Sequence, residues 1–279
     1  MDLPTTNGEP ERLEGEDVGA IPAGWQTEIA KLAKTLRGMG VDVRVDAESR
    51  LEALAGAIAR WNSMVNLVSR KDITRLITYH FCDSASLLPL VKPDRPLRVL
   101  DIGGSNGLPG LVLAAISPHV DLTISDSRLK RRGFLGEVCA GTPGAYAERG
   151  GADADGGRVT FEMARVDSPA FRTGNARSFD LIVARAVTRL KLLLKWCLPL
   201  LRPGGRLVAY KGSRSLDEVG DAEGYFFGHG GSRIWVVGSP LAESCNALRL
   251  FVIAERSAGS DAEVGQGSGC GSHSKRRLP

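Results

Sequence analysis

The chain has no apolar run approaching the roughly 20 residues that a helix needs to cross a bilayer. It has no CxxC pair and no grouping of Ser, His and Asp that would mark a nucleophilic triad. Its five cysteines, Cys82, Cys139, Cys197, Cys245 and Cys270, are scattered. An odd, unpatterned count argues against both a disulfide framework and a zinc site, and the cysteines read as small core residues. The stretch from Met1 to Gly24 is acidic and rich in Pro and Gly, unlike a secretory signal or an arginine-rich transit peptide. A cytoplasmic protein, with neither a membrane nor a metal partner, is the expectation.

What is present is ordinary for a globular protein. The 279 residues are 43% hydrophobic and 24% charged, enough for one substantial domain with additions or two small ones. A formal charge of +4 suits a polyanionic partner without requiring one.

Along the chain, residues 1–24 read as disordered. Residues 25–92 read as an all-helical extension. Its first helix carries Trp25, Ile29, Leu32, Ala33 and Leu36. The second is capped by Asp46 and carries Leu51, Leu54, Ala55, Ile58, Trp61 and Val65. The third runs from about Asp72 and stops before Pro93.

The period then changes. Strands are expected at 98–102, 120–125, 158–163, 179–184 and 206–211, with helices at 109–117, 128–140 and about 189–201 between them. Arg202-Pro203-Gly204-Gly205 reads as a turn before the fifth strand. Residues 141–157 read as an inserted surface loop, and residues 257–279 as a disordered tail with a basic end. Two further strands, Ser232 to Val237 and Leu248 to Ala254, close the domain spanning 93–256. Alternating strands and helices imply an α/β fold: a mostly parallel, Rossmann-like sheet with helices on both faces and an antiparallel C-terminal strand. That closing hairpin is common in class I methyltransferases and unusual in NAD-binding domains.

One stretch organises the rest, Arg98-Val99-Leu100-Asp101-Ile102-Gly103-Gly104-Ser105-Asn106-Gly107-Leu108-Pro109-Gly110. A strand ends in an aspartate, a glycine-rich loop follows, and a helix N-terminus with unpaired N–H groups comes next. Such a loop holds a nucleotide-like ligand. The dinucleotide pattern G-x-G-x-x-G fails from Gly103, where the third position is Ser105, and from Gly104, where it is Asn106. This disfavours an NAD-dependent oxidoreductase. A carboxylate at Asp101 would oppose a pyrophosphate but suits a ligand with an amino group and a sulfonium, as S-adenosylmethionine has. Asp126 ends the second strand, where a carboxylate can accept from both ribose hydroxyls of an adenosine. Its plainer reading is a cap for the next helix.

The motifs around this loop resemble a known family. They are Trp61-Asn62-Ser63-Met64-Val65-Asn66-Leu67-Val68-Ser69, Tyr79-His80-Phe81-Cys82-Asp83-Ser84, Gly107-Leu108-Pro109-Gly110, Asp126 through Leu135, Ala184-Arg185-Ala186 and Tyr210-Lys211-Gly212. In order and spacing, from about Ala47 to Ala254, they are similar to the 16S rRNA guanine-N7 methyltransferases (RsmG, also called GidB). The resemblance implies methyl transfer from S-adenosyl-L-methionine to N7 of a guanine in 16S rRNA, on the free rRNA or the 30S subunit. A monomer is a separate expectation that the motifs do not carry. The resemblance carries cofactor contacts onto Gly103, Leu108, Val166, Asp167 and Arg185, beside Asp101, Gly104, Gly107 and Asp126 from the loop and strand ends. Without the family, Asp167-Ser168-Pro169 reads as an ordinary turn.

Arg185 and Lys211 become substrate-facing candidates, and Arg128, Lys130, Arg131 and Arg132 candidate RNA contacts. Without the motifs those four read as a solvated helix face. His80 and Asp83 share a helix face. The plainer readings are a core histidine and an aspartate paired with a cation; the sharper one is a helix roofing the cofactor site. Trp61, Asn62 and Asn66 read as contacts joining the helices to the sheet. The family places a glycine at Ser105; a serine Cβ in that crowded turn would weaken cofactor binding if the residue needed a positive φ, whereas Gly104 beside it can take the permissive role and leave binding intact. A non-catalytic nucleotide- or RNA-binding protein of the same fold is the alternative.

Overall fold

The computed structural model describes residues 22–104, 106–141, 159–212, 217–245 and 249–259. Ser105, nearly all of the 141–157 insertion, residues 1–21 and most of the tail lie outside the described residues.

Seven strands form one sheet in the order β3-β2-β1-β4-β5-β7-β6. They are β1 (Leu97–Ile102), β2 (Val120–Ser125), β3 (Val159–Glu162), β4 (Phe179–Arg185), β5 (Leu201–Lys211), β6 (Gly231–Gly238) and β7 (Leu250–Arg256). The first five pair in parallel, while β7 pairs antiparallel with both β5 and β6. Consecutive residues of the central strands are apolar because both faces are covered. Val99, Leu181 and Val183 enter one core, and Leu100, Ile182 and Ala184 enter the other. That split follows from the two-residue side-chain period of a strand.

The first core also takes α1 (Ala23–Gly38), α2 (Ala47–Val65), α5 (Gly110–Ile116) and α6 (Arg132–Gly141). The second takes α7 (Pro169–Gly174), α8 (Leu190–Cys197) and α9 (Asp217–Gly228). Trp25, Ile29, Leu32, Ala33 and Leu36 of α1 are buried as their spacing predicts, and α1 begins two residues before Trp25.

Several expectations are corrected. Asp46 stands at the α2 N-cap but makes no capping bond; its carboxylate accepts instead from Arg44 at 3.0 Å and Arg50 at 2.6 Å. The third helix is broken into a 3-10 turn (Ile73–Arg75), a π-helical turn (Leu76–Phe81), α3 (Cys82–Ala85) and α4 (Leu88–Val91). Its apolar residues are still buried, but Pro89 sits in the first turn of α4 and cannot continue the bonding ladder from α3. The Arg202–Gly205 turn is a bulge inside β5: Phe179 pairs with Leu201, and the next matched pair is Leu181 with Arg206. After Asp167, Ser168 caps α7 through its hydroxyl, which accepts from the Phe171 N–H. Cys139 and Cys197 are buried free thiols, and burial pushes the Cys197 thiol far above its ordinary range. Cys82, by contrast, is disulfide-bonded.

The helices before β1 are fastened to α6 and to the sheet. Trp61 Nε1 donates to Glu137 Oε2 at 2.6 Å and its ring meets Phe134 edge-on. Asn62 Oδ1 accepts from the Val68 N–H, and the Asn66 carbonyl accepts from Arg131. Trp61 and Asn66 thus meet α6 and the turn before it, Asn62 bonds within the helical extension, and none of these three bonds reaches the sheet to which the sequence context assigned them.

Candidate functional site

Strand order reverses between β1 and β4, both of which start from the middle of the sheet. In an open α/β sheet the crevice at the carboxyl ends of such strands binds ligands. The glycine loop leaves β1 there. Gly103 and Gly107 adopt φ of +68° and +73°, where an L side chain is strained. A Cβ on Gly104 would sit 2.6 Å from Asp101 Oδ2, and one on Gly107 2.0 Å from the Leu111 side chain. The loop is thus wrapped onto the Asp101 carboxylate, which accepts from the Gly110 N–H at 2.7 Å.

One cavity borders this loop, and a second adjoins it at Val187. The first, of about 190 Å³, is lined by Gly103, Asp126, Val166 and Asp167, and also by Trp196 of α8. Asp126 is 6% exposed; its Oδ1 accepts from the Arg128 N–H at 2.7 Å, and its buried Oδ2 has no partner among the described residues. A carboxylate oxygen buried without a donor is costly unless a ligand supplies one. Ribose hydroxyls are such donors. Asp167 is held by both arms of Arg165, which keep its carboxyl below the ordinary range. It retains lone pairs for a further donor.

The second cavity, of about 630 Å³, lies over the ends of β4 and β5 and is lined by Arg185 and Lys211, with Tyr79, His80, Arg189 and Arg249. Val187 borders both cavities, and its Cγ2 lies 3.2 Å from where a Gly103 Cβ would be. Arg185 Nη1 donates to Asp83 Oδ2 at 3.2 Å, and Lys211 Nζ donates to Glu218 at 2.7 Å and to the Thr188 carbonyl at 3.1 Å. Asp83 is 1% exposed and lines neither cavity, so it is the partner of cations rather than a pocket residue. His80 lines the second cavity with both ring nitrogens buried and, among the described residues, without a hydrogen bond. Burial, reinforced by Arg185, pushes its pKa down to about 4, so it is neutral at pH 7.

The structure therefore gathers Gly103, Asp126, Val166 and Asp167 at one cavity and Arg185 and Lys211 at the other. Gly104, Gly107 and Leu108 are buried and line neither; they shape the loop from beneath. Arg128 reaches the edge of the first cavity, and Arg128, Lys130 and Arg132 are exposed while Arg131 is half-buried. Sequence reasoning missed Trp196, Val187, Tyr79 and Arg249. Only Tyr79 stood inside a motif; the others carried no local signal.

Asp101 is fully buried, and desolvation raises its pKa to about 7, against the Gly110 hydrogen bond and Arg185. In the unfolded chain it titrates near ~3.9. Its contribution to stability is therefore complete below about pH 4 and is lost as pH rises through about 7. His80 acts in the opposite sense, losing stability as pH falls from its unfolded pKa near ~6.5 toward about 4. The two slopes oppose each other in the native protein, and comparison with Asp101→Asn isolates the carboxylate. Urea unfolding of the ligand-free proteins should show the variant gaining on the native protein by about 1.4 kcal/mol per pH unit between about pH 4 and 7. Parallel stability curves for the two proteins would refute the raised pKa.

A central parallel sheet of this strand order, a glycine loop after β1 and an orphaned carboxylate at the tip of β2 define a class I, S-adenosylmethionine-dependent methyltransferase. The profile of one family, rRNA small subunit methyltransferase G (GidB), matches residues 47–238. The chain belongs to that family. It is similar to ribosomal RNA small subunit methyltransferase G of Symbiobacterium thermophilum, with 33% identity over 192 residues covering 69% of this chain and 75% of the relative. The Chromohalobacter salexigens protein of the same name is 35% identical, over 69% of this chain and 83% of the relative. That of Staphylococcus saprophyticus is 28% identical over 82% and 90%. Among solved structures, the N-methyltransferase NodS from Bradyrhizobium japonicum in complex with S-adenosyl-L-homocysteine aligns with a TM-score of 0.45 and 17% identity, over 73% of this chain and 98% of that one.

Proposed function

We propose that this protein transfers a methyl group from S-adenosylmethionine to N7 of a guanine in 16S rRNA, acting as a cytoplasmic monomer on the rRNA or the 30S subunit. One observation carries the reading. Two cavities meet at Val187 over the ends of β1 and β4, one bordered by the buried carboxylate of Asp126 and the other by Arg185 and Lys211. The first suits an adenosine and the second a base with its phosphates.

The residues present fit the cofactor. Asp126 Oδ2 would accept from the ribose, the Val166 backbone and Asp167 would meet the adenine edge, and Gly103 would let the main chain approach. When bound, S-adenosylmethionine supplies an electrophilic methyl group on a sulfonium. Guanine N7 carries an in-plane lone pair and no proton, so no side chain has to act as a base. The protein's part is to hold the base in line and exclude water, which is catalysis by proximity. Among the described residues no cluster able to hold a metal ion is found, and none is required by this chemistry. Arg185 and Lys211 are the candidates for gripping the guanine O6 edge or a phosphate. Arg128, Lys130, Arg131 and Arg132 are the candidates for rRNA backbone at the rim.

The test is transfer of labelled methyl groups to 30S subunits from a strain lacking the modification, followed by mapping of the labelled base. Label on a guanine, released by chemistry specific for N7 methylation, is expected. Label on an adenine or cytosine would overturn the specificity, and no label would leave a binding protein of methyltransferase fold.

A further inference from the structure

Arg249 lies outside the stretch matched by the family profile and immediately before β7, yet it lines the larger cavity. Lys211 pairs with Leu250, so Arg249 stands beside the carboxyl end of β5. Its Nε donates to Asp83 Oδ1 at 2.7 Å, and neither of its Nη groups makes a hydrogen bond among the described residues. A guanidinium fixed through Nε with both Nη groups open is a planar fork of the kind that matches a phosphate.

Charge and position choose the ligand. Arg185, Arg189, Lys211 and Arg249 line the cavity against Asp72 and Glu218, and Glu218 is already taken by Lys211 at 2.7 Å. Among the described residues Asp83 alone answers both Arg185 and Arg249. The cavity therefore keeps a cationic surplus that attracts anions. In the strand order β2-β1-β4-β5-β7, Arg249 is two strands beyond Arg185 and away from Asp126. Its backbone is roughly 10 Å past the end of β4 at about 4.8 Å per strand, while its guanidinium turns back to share Asp83 with that of Arg185. Arg249 lines the larger cavity and Asp126 the smaller one, so an anion held by Arg249 belongs to the second substrate rather than to the adenosine.

We propose that Arg249 binds a backbone phosphate of the RNA next to the target base, a contact that rests on the rRNA methyltransferase reading above. The other anion that could reach this cavity is the carboxylate on the amino-acid part of the cofactor, and two measurements separate them.

In the full-length protein, Arg249→Gln and Arg249→Lys are compared with the native chain. The readouts are the salt dependence of 16S rRNA binding, the KM and kcat for 30S subunits, and calorimetry with S-adenosylhomocysteine. For Arg249→Gln the slope of log K against log salt should shrink by about 0.7–0.9, the loss of one phosphate contact. KM should rise roughly tenfold with kcat little changed, as one charge-assisted contact predicts. The S-adenosylhomocysteine Kd should not move. Arg249→Lys should keep the slope, because the charge remains, while KM rises because the fork is gone. An unchanged slope and KM in Arg249→Gln overturns the proposal. A weakened S-adenosylhomocysteine Kd with an unchanged slope also overturns it and assigns the anion to the cofactor. If the native protein transfers no methyl group but the slope still falls in Arg249→Gln, the reaction fails and the phosphate contact stands.

Discussion

Replacing Asp126 by alanine is expected to raise the Kd for S-adenosylmethionine tenfold or more. Asp126 follows the last residue of β2, is 6% exposed, and spends one oxygen on the Arg128 N–H, leaving the other buried without a donor among the described residues. A ribose hydroxyl bonded to a carboxylate in such a place contributes about 1.5–3 kcal/mol, because charge assistance strengthens the bond and burial removes competing water. Alanine deletes that acceptor without introducing bulk. The folded state has little to lose: the variant forfeits the Arg128 turn contact but is freed of an unpaired buried oxygen, so its thermal midpoint should stay close to that of the native chain. Calorimetric titration with S-adenosylmethionine or S-adenosylhomocysteine measures the effect. An unchanged Kd in a folded Asp126→Ala protein would remove Asp126 from the ribose and return it to a helix-capping role.

The other large effect is on stability. Asp83→Ala should destabilise the fold by about 3–5 kcal/mol, the cost of removing one partner from a buried ion pair. At 1% exposure Asp83 accepts from Arg185 at 3.2 Å and Arg249 at 2.7 Å, and both arginine side chains are themselves largely buried, at 12% and 19%. Next to it the Ser84 carbonyl accepts from the Tyr210 hydroxyl at 2.8 Å. Together these bonds fasten α3 across the ends of β4, β5 and the approach to β7. Without the carboxylate, two guanidiniums face each other with no counter-charge between them. Thermal unfolding should show a fall in Tm on the order of 10 °C. Asp83→Asn, which keeps an acceptor oxygen and the shape, should lose less. A loss below about 1 kcal/mol for Asp83→Ala would mean that the pair behaves as a solvated surface pair.

The central strands were legible in the sequence because strands covered on both faces are written as uninterrupted apolar runs. The two that matter for the site stop at a polar residue, Asp101 within β1 and Asp126 just after β2. Each carboxylate marks a strand end next to a turn, so a candidate nucleoside end of the site could be read from residue order. The shortest helices could not be read this way. With six residues, α7 is under two turns and carries no measurable period. The third helix kept its apolar spacing while Pro89 broke its path, and spacing by itself does not register a break.

By itself the sequence determined the central strands, the glycine loop and its two carboxylates, because each is set by residues adjacent along the chain. The family motifs added the reaction and the substrate. Only the tertiary structure decided the larger cavity. Asp83 and Arg249 are 166 residues apart, and they meet because β7 inserts antiparallel between β5 and β6. A strand order is settled by packing of the whole sheet rather than by any local stretch, so contacts that depend on it leave no mark in the local pattern.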